Sequence, residues 1–195
     1  MTLKLNGSSS GYTAIDAPAA AGSNTLVLPT GNGSAGQVLV TDGSGNLSFD
    51  YPNRPACQVY MSANMTSLGN DTLTKMVFDS EDFDTDSAWD TSNYKFTVPA
   101  GKGGKYVVGA NSYVAAGVDM YTQLHIYKNG STVAYNYNHG SASAGGSVSN
   151  NVQRIITLAA TDYIEFYVST NATTRTVYTS NNIGRTVGYL WRLIV

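Results

Sequence analysis

The stretch from Tyr94 to Ala110, Y-K-F-T-V-P-A-G-K-G-G-K-Y-V-V-G-A, decides how the rest of the chain is read. Phe96-Thr97-Val98 begins as a short apolar strand and meets Pro99, which has no N–H to give to a sheet ladder. Gly101, Gly103 and Gly104 permit a sharp turn, and Tyr106-Val107-Val108 starts a run of strand-forming residues. The pattern predicts a kinked approach to a central strand.

Working outward, strands are predicted over 58–65, 73–78, 95–98, 105–113, 121–127, 132–136, 148–158, 163–169 and 187–195. No apolar pattern of period 3.6 lasts long enough for a helix. Many short strands without intervening helices point to an all-β sandwich or jelly roll. In 163–168, Ile164, Phe166 and Val168 alternate with Tyr163, Glu165 and Tyr167, the signature of one buried face. The last strand differs. Val187, Tyr189, Trp191, Leu193 and Val195 fill one side, while Leu190 and Ile194 lie on the other with Gly188 and Arg192. A strand apolar on both sides must be covered on both. The opposite sheet supplies one cover; another subunit or the N-terminal segment must supply the other.

Charged residues make up only 12% of the 195, about half the usual ~25%. The net charge of −2 gives no electrostatic footprint for nucleic acid or an anionic membrane. Cys57 is the single cysteine, which excludes an internal disulfide, and no Cys/His cluster has zinc-site spacing. No apolar run approaches the ~20 residues of a membrane span. The N-terminus lacks the apolar core of a signal peptide, so synthesis in a cytoplasm without export by that route is expected.

Residues 1–50 differ from the rest, holding eight of the 20 glycines and few aromatics. Short apolar pieces at 3–5, 25–28, 37–41 and 47–49 are separated by Gly-Asn and Asp-Gly turn signals. Each is too short to bury its own face. The segment reads either as a flexible Gly/Ser linker or as strands that become stable when several chains wind together. The run A-P-A-A-A-G-S-N-T-L-V-L-P-T-G-N-G-S-A-G-Q-V-L-V-T-D-G-S-G-N-L-S-F, Ala17 to Phe49, resembles the glycine-rich units of bacteriophage tail-fibre shafts. Two prolines within 51–55 mark a boundary. The division expected is a virion-attachment or shaft segment over 1–50, a linker over 51–56 and a head over 57–195.

Four motifs of the head occur together. Phe96-Thr97-Val98-Pro99 followed by Gly104-Lys105-Tyr106 resembles an F-x-x-P-x-x-G-x-Y block. Lys128-Asn129-Gly130 matches a K-N-G hairpin, 158–164 resembles L-x-x-G-D-x-V, and Gly188-Tyr189-Leu190 matches a closing G-[FY]-L. In that order they resemble the trimeric jelly roll of the complement component one-q globular head and tumour necrosis factor superfamily. Departures are two extra residues before Gly104, Thr161 in place of the turn glycine, and Thr186 in place of an aromatic. The collagen stalk of complement one-q is absent, since no Gly-X-Y period occurs. The resemblance implies a homotrimer packed around the last strand and 105–113, with Tyr106, Val108, Arg154, Leu190, Arg192 and Ile194 at the interface. Joined to a fibre-like N-terminus, such a head implies a phage fibre or appendage protein located in the virion.

Other residues carry weaker chemistry. Six of the 13 acidic residues fall within 79–90, and Asp82, Asp84 and Asp86 have the alternate spacing of calcium ligands. Ser87 stands where an EF-hand glycine belongs and Asn93 where the bidentate Glu belongs, so a solvated acidic loop competes with calcium as the reading. No cofactor is otherwise expected. No nucleophile elbow occurs, and no enzymatic activity is expected. A polysaccharide depolymerase and a purely structural or decoration head are the alternatives. The resemblance runs the last strand toward the base, where the N-terminal segment enters. Counting back places 128–130 and 159–162 at the base, and 115–119, 138–147 and 170–186 at the apex. Long polar loops on a rigid scaffold are where recognition resides. The expected contact residues for a host-surface glycan or protein are therefore Tyr137, Asn138, His139, Arg175, Tyr178, Asn181 and Asn182.

Overall fold

Every regular element among the described residues is a β-strand. The computed structural model describes residues 2–115, 119–140, 146–172, 174–179 and 186–193. The chain divides into two units, Met1–Tyr51 and Pro52–Val195.

The first unit holds two antiparallel hairpins, β1 (Leu3–Asn6) with β2 (Tyr12–Ile15) and β3 (Val38–Thr41) with β4 (Leu47–Asp50). The second turns on Asp42, whose Oδ1 accepts the Ser44 N–H at 2.7 Å and the Asn46 N–H at 3.1 Å. Gly45 (φ +97°) passes so close to Thr25 that a Cβ would lie 2.4 Å from its carbonyl oxygen. The unit lacks a core. None of its described residues is buried, and Leu3, Leu5, Tyr12, Ile15, Leu26 and Leu28 are each more than half exposed. A two-stranded hairpin on its own is marginal in water.

In the second unit the strands are β5 (Ala56–Tyr60), β6 (Met65–Leu68), β7 (Thr74–Lys75), β8 (Ser80–Asp84), β9 (Trp89–Asp90), β10 (Lys95–Thr97), β11 (Gly104–Ala115), β12 (Met120–Lys128), β13 (Ser131–Gly140), β14 (Ser147–Leu158), β15 (Tyr163–Thr170), β16 (Arg175–Val177) and β17 (Val187–Arg192). A six-stranded sheet runs β13-β12-β15-β10-β9, with β7 also against β15. A seven-stranded sheet runs β6-β16-β11-β17-β5-β8, with β14 also against β11. The stretch around Pro99 does not kink a strand; it changes sheets. β10 pairs with β15 and β9 in one layer, while β11 is central in the other, between β14 and β17. Pro99 lies in the turn outside both ladders, where its missing donor is not needed.

Three of these strands lie where the sequence pattern predicts none: β8 in the acidic window, β9 and β16. The predicted 58–65 strand divides into β5 and β6. The predicted 73–78 strand keeps only Thr74–Lys75 as ladder, because Met76 and Phe78 turn into the core.

That core fills the space between the sheets. Phe78, Phe96, Tyr106, Leu124, Ile126, Ile164, Phe166 and Leu190 are all fully buried. Phe166 meets Phe78 edge-on at 5.7 Å and stacks with Trp89 at 6.3 Å. Gly188 lies beneath these rings: a Cβ there would come 2.9 Å from Phe166 and 3.0 Å from Phe78. Gly188→Ala is therefore expected to cost about 1–3 kcal/mol through overpacking, read as a lowered urea midpoint at unchanged slope.

Two turns of the sandwich are tied together. Asp162 accepts from Lys128 Nζ at 2.8 Å, Asn129 Nδ2 at 2.7 Å and the Ala159 N–H at 2.8 Å. Asn129 Oδ1 in turn accepts the Tyr163 N–H at 2.9 Å. The Lys128 ammonium first, then the Asn129 and Ala159 donors, hold the Asp162 carboxyl at about 2. Its value in the unfolded chain is about 3.9, so its stabilisation is complete above pH ~4 and is lost as pH falls toward 2. Asp162→Asn should lower stability at pH 7 and flatten the stability profile between pH 4 and 2. An unchanged profile would show that these bonds do not matter.

Candidate functional site

Alternation along β11 sends Tyr106, Val108 and Ala110 into the core and Val107, Gly109 and Tyr113 to the outer face of the seven-stranded sheet. Register aligns Val107 with Ile155 on one side and Trp191 on the other, and Gly109 with Tyr189. The Tyr189 and Trp191 rings stack at 5.6 Å and 21°. Gly109 makes this possible, since a Cβ there would meet the Tyr189 ring at 2.4 Å. Ile155 is 60% exposed and Phe83, on the neighbouring edge strand, 49%. Phe83, Tyr189, Trp191, Ala56 and Gln58 line a shallow groove of about 430 Å³. This is an apolar patch on the outside of the sheet.

Of the six expected interface residues, five are described, and none of these has the parity of this patch. Tyr106, Val108 and Leu190 have no exposed surface, because their parity turns them into the sandwich. Arg192 has the same inward parity, with Nε 3.1 Å from where a Gly104 Cβ would stand. Burial raises the Tyr106 hydroxyl to about 12, and the charge of nearby Arg192 offsets only part of that. Arg154 turns its Nη1 onto the Val133 carbonyl within the same chain. Ile194 lies outside the described residues. The expected strands do border the apolar patch, but through their odd-numbered residues.

The expected contact residues separate into groups. Tyr137 and His139 project from the outer face of the six-stranded sheet. Tyr137 packs on Tyr121 at 4.9 Å, and His139 Nε2 is 3.1 Å from Asp119 Oδ1. Asn138 faces the other way, and its Nδ2 donates to the Ser149 carbonyl at 2.8 Å, while Asn136 Nδ2 reaches the Asn151 carbonyl at 2.6 Å. These amides stitch β13 to β14 across the rim of the sandwich, so Asn138 is a structural residue. Arg175 opens β16 in the seven-stranded sheet, and Tyr178 follows it, its ring 5.9 Å from Tyr113. Asn181 and Asn182 lie outside the described residues.

The acidic window is an edge strand and its turn, in which Asp82, Asp84 and Asp86 are already engaged. Asp82 Oδ2 accepts from Gln58 Nε2 at 2.7 Å, and Asp84 accepts the N–H groups of Asp86 and Trp89 at 3.1 and 2.7 Å. Asp86 Oδ2 accepts the Thr85 hydroxyl at 2.5 Å. Among the described residues no three His, Cys, Asp or Glu side chains gather to hold a metal. The Cys57 thiol is buried, and that burial pushes it well above the usual thiol range, away from reactivity.

No family model and no curated protein sequence matches the chain. Solved structures do. Murine APRIL at pH 5.0 superposes with a TM-score of 0.54 at 10% identity, over 71% of this chain and 98% of that one. The globular domain of zebrafish complement 1qA gives 0.53 at 13% identity, over 73% and 98%. The Eiger TNF of S. frugiperda gives 0.51 at 16% identity, over 72% and 94%. The chain carries the tumour necrosis factor and complement one-q jelly-roll fold.

Within this jelly roll the sequence motifs acquire physical reasons. Phe96 and Tyr106 bracket the change of sheet and meet edge-on at 5.8 Å. The Lys128-Asn129-Gly130 hairpin is bonded to Asp162, and Gly188 makes room for Phe166. Thr161 holds φ +72°, a left-handed conformation that the family-type glycine would adopt more easily. The sequence alternation sets Tyr121, Gln123, His125 and Tyr127 on one strand face, which reads as structural or surface. What it does not show is that Tyr135, Tyr137 and His139 join them from the next strand on the outer face of the six-stranded sheet.

Proposed function

We propose that this chain is the subunit of a homotrimeric virion fibre or appendage, whose jelly-roll head binds the host surface. The observation that carries the reading is the apolar outer face formed by Ile155, Phe83, Tyr189 and Trp191 over the buried Val107. A contiguous face of this kind on a weakly charged protein calls for a protein partner, and the resemblance to trimeric jelly rolls makes that partner two further copies of the chain. The coreless first unit supports the same reading, because its exposed Leu, Ile and Val side chains can be buried by equivalent segments of neighbouring chains. The likeness of Ala17–Phe49 to phage fibre shafts supports a place on a virion. The head is read as a binding module rather than an enzyme, since Asp82, Asp84 and Asp86 of the acidic window are engaged in turn and edge-strand hydrogen bonds.

The test is location and assembly together. Virions released from cells carrying this gene should contain the chain by mass spectrometry, and gold-labelled antibody to the jelly roll should mark projections from the particle. Purified head protein should compete with those virions for adsorption to host cells. Absence of the chain from the particles would contradict the reading, as would release of reducing ends from host glycans by the purified protein.

A further inference from the structure

The two outer faces of the jelly roll have opposite chemistry. The seven-stranded sheet presents aliphatic side chains with Phe, Tyr and Trp. The six-stranded sheet presents tyrosines set among hydrogen-bonding groups. Along β12, Tyr121, Gln123, His125 and Tyr127 point outward. Register places His139, Tyr137 and Tyr135 beside the first three, and Ser169, Tyr167 and Glu165 on the other flank of β12. The rings pair across strands: Tyr121 with Tyr137 at 4.9 Å, His125 with Tyr135 at 5.1 Å and 16°, and Tyr127 with Tyr167 at 4.3 Å. From Tyr121 to Tyr127 the platform is about 20 Å long at ~3.4 Å per residue, and three strands make it about 10 Å wide. Tyr135 and Tyr137 are 61% and 48% exposed on it.

Lys75 Nζ bonds Glu165 Oε1 at 2.5 Å and Lys95 stands opposite Asp90 in the ladder, while at the Tyr121 end Asp71 accepts the Tyr121 hydroxyl and Asp119 lies 3.1 Å from His139 Nε2. His125 is nine-tenths buried, and burial lowers its pKa, so its imidazole is neutral at pH 7. Its Nε2 lies 2.9 Å from Gln123 Oε1 and donates to that amide oxygen. Nδ1 is then a lone-pair acceptor, and it has no partner. That atom has essentially no accessible surface, so His125 serves the face by bonding Gln123 and stacking on Tyr135 rather than by contacting a ligand.

We infer that the outer face of the six-stranded sheet binds a neutral polysaccharide chain. Three features favour this occupant. Flat aromatic faces stack on the apolar C–H faces of pyranose rings, while the Tyr hydroxyls and the Gln123 amide between them match sugar hydroxyls. Lys75 and Lys95 already face Glu165 and Asp90, and the other charges named here are carboxylates, so the face offers nothing to an acidic glycan or an anionic membrane. Leu, Ile, Val and Phe are absent from the outward positions named here, unlike the opposite face, which argues against a second copy as the occupant. The inference rests on the reading of the head as a binding module and specifies its ligand class and surface; it does not depend on the trimer or on the virion.

The test is affinity electrophoresis of the intact full-length protein in native gels containing dextran, galactomannan or mixed-linkage β-glucan, with alginate as the anionic comparison. At least one neutral polysaccharide should retard the protein, and alginate should retard it less. Tyr135 and Tyr137 are exposed, so the Y135A/Y137A double variant should melt normally and lose at least tenfold in affinity. The R175A/Y178A variant, which alters the other sheet, should bind as wild type. Retardation by none of the three neutral polymers would overturn the inference. So would stronger retardation by alginate, unchanged binding by Y135A/Y137A, or loss of binding only in R175A/Y178A. A change in the mass of Y135A/Y137A by light scattering would instead make the face a contact between copies, and would also overturn it. Adsorption of virions does not enter this experiment, so its failure leaves the location and assembly of the fibre to be judged separately.

Discussion

Phe166→Ala is expected to destabilise the jelly roll by about 3–5 kcal/mol, among the largest effects of any single substitution in the chain. The Phe166 side chain is almost fully buried, touches Phe78 and Trp89 through its ring, and closes over Gly188 from the side opposite β17. Its removal takes away a large transfer term and leaves a cavity that three rigid neighbours cannot collapse to fill. Urea unfolding checks the value, with the slope expected to stay constant. A loss below about 1 kcal/mol would mean that the two sheets are held together mainly elsewhere. Phe166→Leu, which refills part of the space, should recover a substantial part of the loss.

Trp191→Asp is expected to convert a three-chain particle into single chains while leaving the jelly roll folded. Trp191 faces outward, and its ring stacks on Tyr189 beside the groove lined by Phe83. Within one chain the change removes a ring pair worth about 1 kcal/mol. In a trimer it places three carboxylates in an apolar contact, where each unpaired buried charge costs several kcal/mol. Sedimentation of the variant should give one chain mass with a melting transition still present. Residues 1–51, without a core of their own, should become the first site of proteolysis in that single-chain form. A Trp191→Asp protein that still sediments as three chains would remove the outer face from the interface.

How much of this was legible in the sequence depends on the range of the interaction that fixes each feature. Alternation at Ile164, Phe166 and Val168 announces a buried face because the strand itself sets a period of two. The Asn129-Gly130 hairpin is equally local. The strand β8 was hidden because Asp82, Asp84 and their neighbours look like a solvated loop; its ladder to β5 comes from pairing across more than 20 residues, with Gln58 holding Asp82. The expected interface residues that are described lie on strands bordering the apolar outer face, but with the inward parity. Tyr106, Val108 and Leu190 look no different in sequence from Val107, Tyr189 and Trp191, and only the position of the second sheet decides which set is inside. Asn138 reads as a polar loop residue, yet its amide bonds the Ser149 carbonyl, a contact set by how the rims of the two sheets meet. The tyrosine platform is spread over three strands, so its density becomes visible only once β12, β13 and β15 are in register.

The central claim is that the outer face of the seven-stranded sheet assembles three copies of the chain. Multi-angle light scattering on the purified full-length protein at micromolar concentration tests it most directly. The account predicts a single species at three times the 20.6 kDa chain mass. A species at one chain mass would contradict it.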